Sequence, residues 1–198
     1  MSETLRAYAV DLALLGSAVN SGDKALMDEL SVPSALGRYL QEQWSRDWDA
    51  TPDQVLGYLI LGEGYVDRLG PAYIDGLEYL CEHFGEALDN CNFSSMRGWL
   101  SEVQKVLNRA DVPFDMADLL YDWPSEFDLD IDPDGDLADL CVGSVERHRI
   151  PAILQALLAV DWAAPELAVT GELRQSVEEL MSWFDICART NCDLVTFL

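Results

Sequence analysis

The sequence predicts an α+β fold, predominantly helical, with about seven or eight helices around a small sheet formed by the N-terminal, a central and the C-terminal strand. Three observations carry this. Apolar residues recur at helical spacing through most of the chain, between recognisable start and stop residues. Three short apolar runs, near residues 5–12, 140–146 and 193–198, are too short for helices and rich enough in apolar side chains for buried strands. No internal repeat or low-complexity linker interrupts the 198 residues, so one globular domain spanning 1–198 is expected.

Taken in order, Leu5-Arg-Ala-Tyr-Ala-Val-Asp-Leu12 alternates only weakly, which predicts a strand buried on much of both faces. A short helix follows, with Ser21 or Asp23 at its start and Leu26, Met27 and Leu30 inward. Leu36, Tyr39, Leu40 and Trp44 recur at helical spacing after Pro33. Thr51-Pro-Asp-Gln54 is a helix start: Thr51 caps, Pro52 suits the first turn, and Gln54 completes a capping box. Val55, Leu56, Leu59 and Ile60 form its apolar face, and Gly62 and Gly64 end it. Pro71 opens the clearest helix, with Tyr73, Ile74, Leu77, Leu80, Cys81, Phe84 and Leu88 inward and Gly85 ending or bending it.

Another helix spans Ser95 to Arg109, with Trp99, Leu100, Val103 and Leu107 inward. A short one lies around Met116–Tyr121. Leu140-Cys-Val-Gly-Ser-Val145 reads as the central strand. Pro151 then opens a helix with Ile153, Leu154, Leu157 and Leu158 inward. The last helix covers Gly171–Arg189 with Asn191 as a left-handed cap, and Asp193-Leu-Val-Thr-Phe-Leu198 closes the sheet.

Apolar residues make up 49% of the chain, with six Trp, seven Tyr and six Phe, which excludes a disordered protein despite the charge. That charge is −24, from 36 acids against 12 bases. It excludes direct binding to nucleic acid, where clustered Lys and Arg must meet phosphates, and to anionic membrane surfaces. It suits a basic protein partner or a metal cation. The opening Met-Ser-Glu-Thr-Leu-Arg lacks a basic region followed by a long apolar run, and no stretch is apolar enough to span a bilayer. A soluble cytoplasmic protein is therefore expected. Its five cysteines, Cys81, Cys91, Cys141, Cys187 and Cys192, are odd in number, contain no Cys-x-x-Cys, and are expected to be reduced.

Three constellations could carry chemistry. Residues 111–139 hold eleven acids and no Lys or Arg, predicting an acidic surface loop at about 122–139. Within it, Asp130-Ile-Asp132-Pro-Asp134-Gly135-Asp136 matches the opening half of a calcium loop, in which carboxylates supply hard oxygen ligands and Gly permits the turn. The twelfth position, normally a bidentate Glu, is Cys141. The second constellation is a row of carboxylates, Asp75, Glu78, Glu82 and Glu86, opposite the apolar face of the clearest helix and unrelieved by any base. It is either a plain solvated face or a docking strip for a basic partner. The third is Cys81-Glu82-His83. Two residues apart on a helix, Cys81 and His83 point about 200° apart and cannot share one ion or act as a nucleophile–base pair. His148 is the only other histidine, and no phosphate-binding Gly-rich loop, Gly-x-Ser-x-Gly or His-Glu-x-x-His occurs, so no catalytic residue is assigned.

The sequence resembles an uncharacterised bacterial family of about this length, a domain of unknown function. The likeness rests on Tyr8-Ala-Val-Asp-Leu12, Ser21-Gly-Asp-Lys-Ala-Leu26, Tyr79-Leu-Cys-Glu-His-Phe-Gly-Glu86, Trp99-Leu-Ser-Glu-Val103, Trp183-Phe-Asp-Ile-Cys-Ala188 and Asp193-Leu-Val-Thr-Phe197. The resemblance implies a small bacterial cytoplasmic protein and carries over no catalytic role. The functional expectation is an interaction module for a basic protein, comparable to immunity proteins or phosphate-mimicking surfaces. A calcium-binding protein and an enzyme of unrecognised type are the alternatives.

Overall fold

In a computed structural model, which describes residues 3–30, 51–66, 69–89, 91–93, 96–124, 127, 141–167, 169 and 171–198, the three apolar runs foreseen as strands form one antiparallel sheet. Its strands are β1 (Glu3–Val10), β2 (Gly85–Ala87), β3 (Cys91–Phe93), β4 (Val142–Val145) and β5 (Asp193–Phe197). They run in the order β2-β1-β5-β4, with β3 also paired to β1. Eight helices are present among the described residues: α1 (Leu12–Ala18), α2 (Lys24–Leu30), α3 (Pro52–Leu61), α4 (Gly70–Phe84), α5 (Met96–Arg109), α6 (Asp118–Tyr121), α7 (Ile150–Ala159) and α8 (Gly171–Thr190). The chain divides into two compact units, one of residues 1–11, 85–124 and 142–198, the other of 12–84 and 125–141.

The first unit holds the sheet. β5 lies between β1 and β4, with Val195 opposite both Tyr8 and Ser144. Such a central strand is buried on both faces, which is why Asp193–Phe197 is buried throughout and reads as an apolar run. β1 is the same: Leu5, Ala7, Tyr8, Ala9 and Val10 are all buried. Tyr8 and Phe197 meet edge to face at 5.8 Å between centroids. α8 lays Val177, Leu180, Trp183, Phe184 and Cys187 into this core, and α5 contributes Val103, Val106 and Leu107. The indole of Trp99 on α5 donates to the Ser176 hydroxyl on α8 at 2.8 Å.

Two strands were not foreseen. The helix expected to reach Leu88 stops at Phe84, and the chain turns at Gly85 into β2. β2 and β3 run along the same edge of β1, but their registers differ by one residue. Three steps along β1 from Tyr8 to Leu5 match four steps from Ala87 to Cys91. One residue is therefore extra on the edge strand, which is a β-bulge. The indole N–H of Trp183 donates to the Asp89 carbonyl within this stretch at 2.8 Å, joining helix to edge.

α6 is fastened to the sheet by three side chains from other elements. The Thr196 hydroxyl donates to the Leu119 carbonyl, the Ser144 hydroxyl to the Asp122 carbonyl at 2.9 Å, and Arg149 to Asp118 at 2.6 Å. Gly143 makes the approach possible, since a Cβ there would collide with the backbone of Asp118 and Leu119. Between α5 and α6, Gln104 holds the connecting segment: its carbonyl oxygen accepts from Met116 N–H at 2.7 Å, and its amide donates to the Phe114 carbonyl at 3.1 Å. On α7, Ile153 and Leu157 are buried as expected, but Leu158 is 64% exposed, because the covered stripe of that helix is narrower than the apolar run.

The second unit is helical. α3 begins with the foreseen capping box, Thr51 accepting from Gln54 N–H while the Gln54 side chain accepts from Thr51 N–H. It ends at Gly62 in the left-handed region. The turn between α1 and α2 covers the last carbonyls of α3: Asn20 N–H donates to Leu59 and Gly22 N–H to Ile60, both at 2.8 Å. Asp23 caps α2 by accepting from Ala25 and Leu26 N–H. α1 was not foreseen, because Leu12 and Leu15 continue the apolar run of β1, although Asp11, a residue type suited to a helix start, stands just before it. α4 crosses α3 closely at Gly76, where a Cβ would press on Val55 and Leu59. Tyr58, Tyr65 and Tyr73 pack together with centroids 4.4 to 5.7 Å apart. The helix anticipated around Leu36–Trp44 lies outside the described residues, as does most of the acidic segment at about 122–139.

Candidate functional site

The carboxylate row on the clearest helix is not one solvated face. Asp75 is half-buried, Glu78 is 0% exposed, and Glu82 is exposed on α4. Glu86 is exposed too, but it belongs to β2 and lies beyond the helix. Helical spacing put Glu78 opposite the apolar stripe, and that expectation is corrected. α4 is covered over a much wider arc than the stripe, from Ala72 through Gly76 to Cys81, and Glu78 is inside. Glu82 and Glu86 are thus the members of the row that remain available at the surface, each in a different compact unit.

Cys81 and His83 diverge as their spacing requires. Cys81 is fully buried, and its thiol is held well above the ordinary thiol range, first by burial and then by the neighbouring Glu78. His83 is exposed and sets its ring edge-on to Phe84 at 4.8 Å. Burial disfavours the Cys81 thiolate, and His83, two residues along the same helix, points about 200° away from it. Asp130, Asp132, Asp134 and Asp136 lie outside the described residues. Among the described residues no group of three or more His, Cys, Asp or Glu is placed to hold a metal ion.

A gathering of ionisable side chains in the first unit lies where β1 ends, β4 ends and β5 begins. Asp11 follows the last residue of β1, Glu146, Arg147 and His148 follow β4, and Asp193 opens β5. Because the strands are antiparallel neighbours, these chain-distant residues arrive at one end of the sheet. Arg147 grips Asp11 through both terminal nitrogens, at 2.8 and 3.2 Å. Its backbone N–H donates to Asp193 Oδ1 at 2.6 Å, and its Nε lies 3.6 Å from Oδ2. Hydrogen bonding to Asp11 and the charge of Asp193 hold the guanidinium above its ordinary range. Asp193 is only 3% exposed, so the pairing with Arg147 offsets the cost of burying its charge. His148 and Glu146 form an exposed pair at 2.8 Å.

With two carboxylates on one guanidinium, this corner keeps an excess of negative charge and offers no open seat for an anion. Its reactive groups are the thiols beside it. Cys187, at the end of α8, is fully buried and its thiol donates to the Asp193 carbonyl at 3.7 Å. Burial first, then Cys192 and Asp193, push this thiol up to about 12. Cys192 is half-buried. Cys81, Cys187 and Cys192 are all free thiols. Sequence reasoning assigned no role to Asp11, Arg147 or Asp193. The available signals were two aspartates set at the very ends of apolar runs and one arginine after the central strand, and nothing local links them.

A family model described as a domain of unknown function, DUF7691, matches residues 1–198. The chain belongs to that family. Membership in DUF7691 agrees with the resemblance carried by the motifs along the sequence, and it brings no catalytic or binding residues with it. No curated protein and no solved structure matches the chain. No helix among the described residues is long and apolar enough to cross a membrane.

Proposed function

We propose that this DUF7691 chain is an interaction module of the bacterial cytoplasm that binds a basic protein partner through its acidic surface, in the manner of an immunity protein. The observation that carries this reading is the excess of 36 acids over 12 bases. Five of the 12 bases, moreover, are committed at home. Lys105, Arg147, Arg149, Arg174 and Arg189 each hold a carboxylate of the same chain. The surplus carboxylates, Glu82, Glu86 and Asp89 among them, face solvent. A field of one sign speeds encounter with an oppositely charged protein and makes the association sensitive to salt.

The test is capture from nuclease-treated extract of the source cells, followed by reconstitution with the purified partner. A basic protein retained at about 50 mM salt and released near 500 mM is the expected result, because screening shortens severalfold over that range. Glu82→Lys and Glu86→Lys should each weaken the reconstituted complex. Binding that is indifferent to salt and to both reversals would remove the electrostatic basis of the reading.

One sequence observation favours a second reading. Asp130, Asp132, Asp134 and Asp136, with Gly135, offer the oxygen ligands of a partial calcium loop. A rise in melting temperature on adding calcium, abolished in Asp132→Ala and Asp134→Ala, would support it.

A further inference from the structure

The C-terminus of α8 brings two thiols together by a backbone device. Asn191 adopts φ 56°, in the left-handed region, and ends the helix. The N–H of Cys192 then donates back to the carbonyl of Cys187 at 3.0 Å. This six-to-one bond is the closure of a Schellman motif, in which the side chains of the first and last residues of the closed turn commonly pack on each other. In this chain both of those residues are cysteines. Standard bond lengths on either side of that hydrogen bond limit the two Cα atoms to a separation of roughly 7 Å, the upper edge of what a disulfide can bridge. After burial, the charge of Cys192 contributes to holding the Cys187 thiol up, in keeping with that closeness.

The environment distinguishes the two sulfurs. Cys187 is enclosed and donates to the Asp193 carbonyl, whereas Cys192 is half-buried and donates to the Thr190 carbonyl at 3.7 Å. Cys192 is therefore the sulfur that a small oxidant reaches. We propose that Cys187 and Cys192 are a redox-active pair that closes to an intramolecular disulfide when the protein meets a peroxide.

The thiolate of Cys192 attacks one oxygen of hydrogen peroxide, the O–O bond breaks, and the departing oxygen takes up a proton and leaves as water. Cys192 is then a sulfenic acid. The sulfur of Cys187 attacks the sulfur of Cys192, the S–O bond breaks, and the hydroxyl leaves with the Cys187 proton as a second water. Two thiols and one peroxide become one disulfide and two waters, with the peroxide reduced by two electrons and each sulfur oxidised by one. An enclosed, proton-retaining Cys187 makes the second step slow. It also makes the disulfide hard to reduce once formed, because a reluctant thiolate is a poor leaving group.

Trypsin cuts after Arg189, between the two cysteines, and so reports on the bond directly. Full-length protein is treated with excess hydrogen peroxide, blocked with an alkylating agent, digested without reductant and analysed by mass spectrometry. The expected product is a covalent pair joining the peptide that ends at Arg189 to the peptide that begins at Thr190. It should be lost on reduction and be absent from Cys192→Ser, whose half-buried position lets the variant fold. In that variant Cys187 should stay unmodified. Three results would overturn the proposal: both cysteines alkylated after oxidation, Cys192 driven to the sulfinic acid while Cys187 remains a thiol, or either cysteine bridged elsewhere.

Discussion

At Trp183 a single indole joins the longest helix to the bulged edge of the sheet. The ring is 1% exposed, and its N–H is held by the Asp89 carbonyl. Trp183→Phe removes that hydrogen bond and leaves a void beside the smaller ring. The expected loss is about 2–3 kcal/mol in urea unfolding. Trp183→Leu should cost more. The buried thiols make a separate prediction, in pH. Cys81 and Cys187 are both raised by burial, Cys187 to about 12. In the unfolded chain a thiol ionises near about 8.5. Below that value both states keep their protons and these groups leave stability unchanged. Above it the unfolded chain releases protons that the folded chain retains, so stability falls as pH rises, until Cys187 itself ionises in the fold. Cys187→Ala should flatten the decline above pH 9 by up to about 1.4 kcal/mol per pH unit, measured by unfolding at several alkaline pH values. A slope unchanged by the substitution would exclude Cys187 as its source.

Among the elements, close backbone approach is the property most open to test. Gly143 and Gly76 both sit where a methyl group has no room, but their neighbours differ. At Gly76 the obstruction is the ends of the Val55 and Leu59 side chains, which can rotate away. At Gly143 it is the backbone of α6, itself held by Thr196, Ser144 and Arg149. Gly76→Ala should therefore cost about 1 kcal/mol, and Gly143→Ala about 3 kcal/mol or more, in the same unfolding experiment. Equal costs would mean that α6 shifts freely.

The same elements show what a sequence can express about itself. β1, β4 and β5 were legible because strands buried on both faces must be apolar along their length. The capping box at Thr51 and the left-handed Asn191 were legible because their chemistry is local. β2 and β3 were not: Gly-Glu-Ala and Cys-Asn-Phe have three residues each, and they become strands only because β1 offers an open edge. Glu78 misled for the opposite reason, since helical periodicity assumes one buried stripe and α4 is enclosed more widely. Nothing local in the sequence links the corner of Asp11, Arg147 and Asp193. Its three members come from separate elements and meet only when the strands pair.

For the molecule as a whole, the order of the strands governs how the chain reaches its native state. The strand at the middle of the sheet, β5, is only 5 residues long and lies at the far end of the sequence from its partner β1, while β4 is its other neighbour. Until residues 193–197 arrive, β1 and β4 have no ladder in common, and the edge formed by β2 and β3 rests on a single strand. The last strand to be made is therefore the one through which β1 and β4 are joined. Closing a loop of nearly the full sequence to pair β1 with β5 places this sheet among slow-folding topologies, whatever the speed of its helices. A chain cut short just before Asp193 would keep almost all of its helices and lose the sheet's centre, exposing two apolar strand edges to each other's copies: a route to aggregation opened by the loss of very few residues.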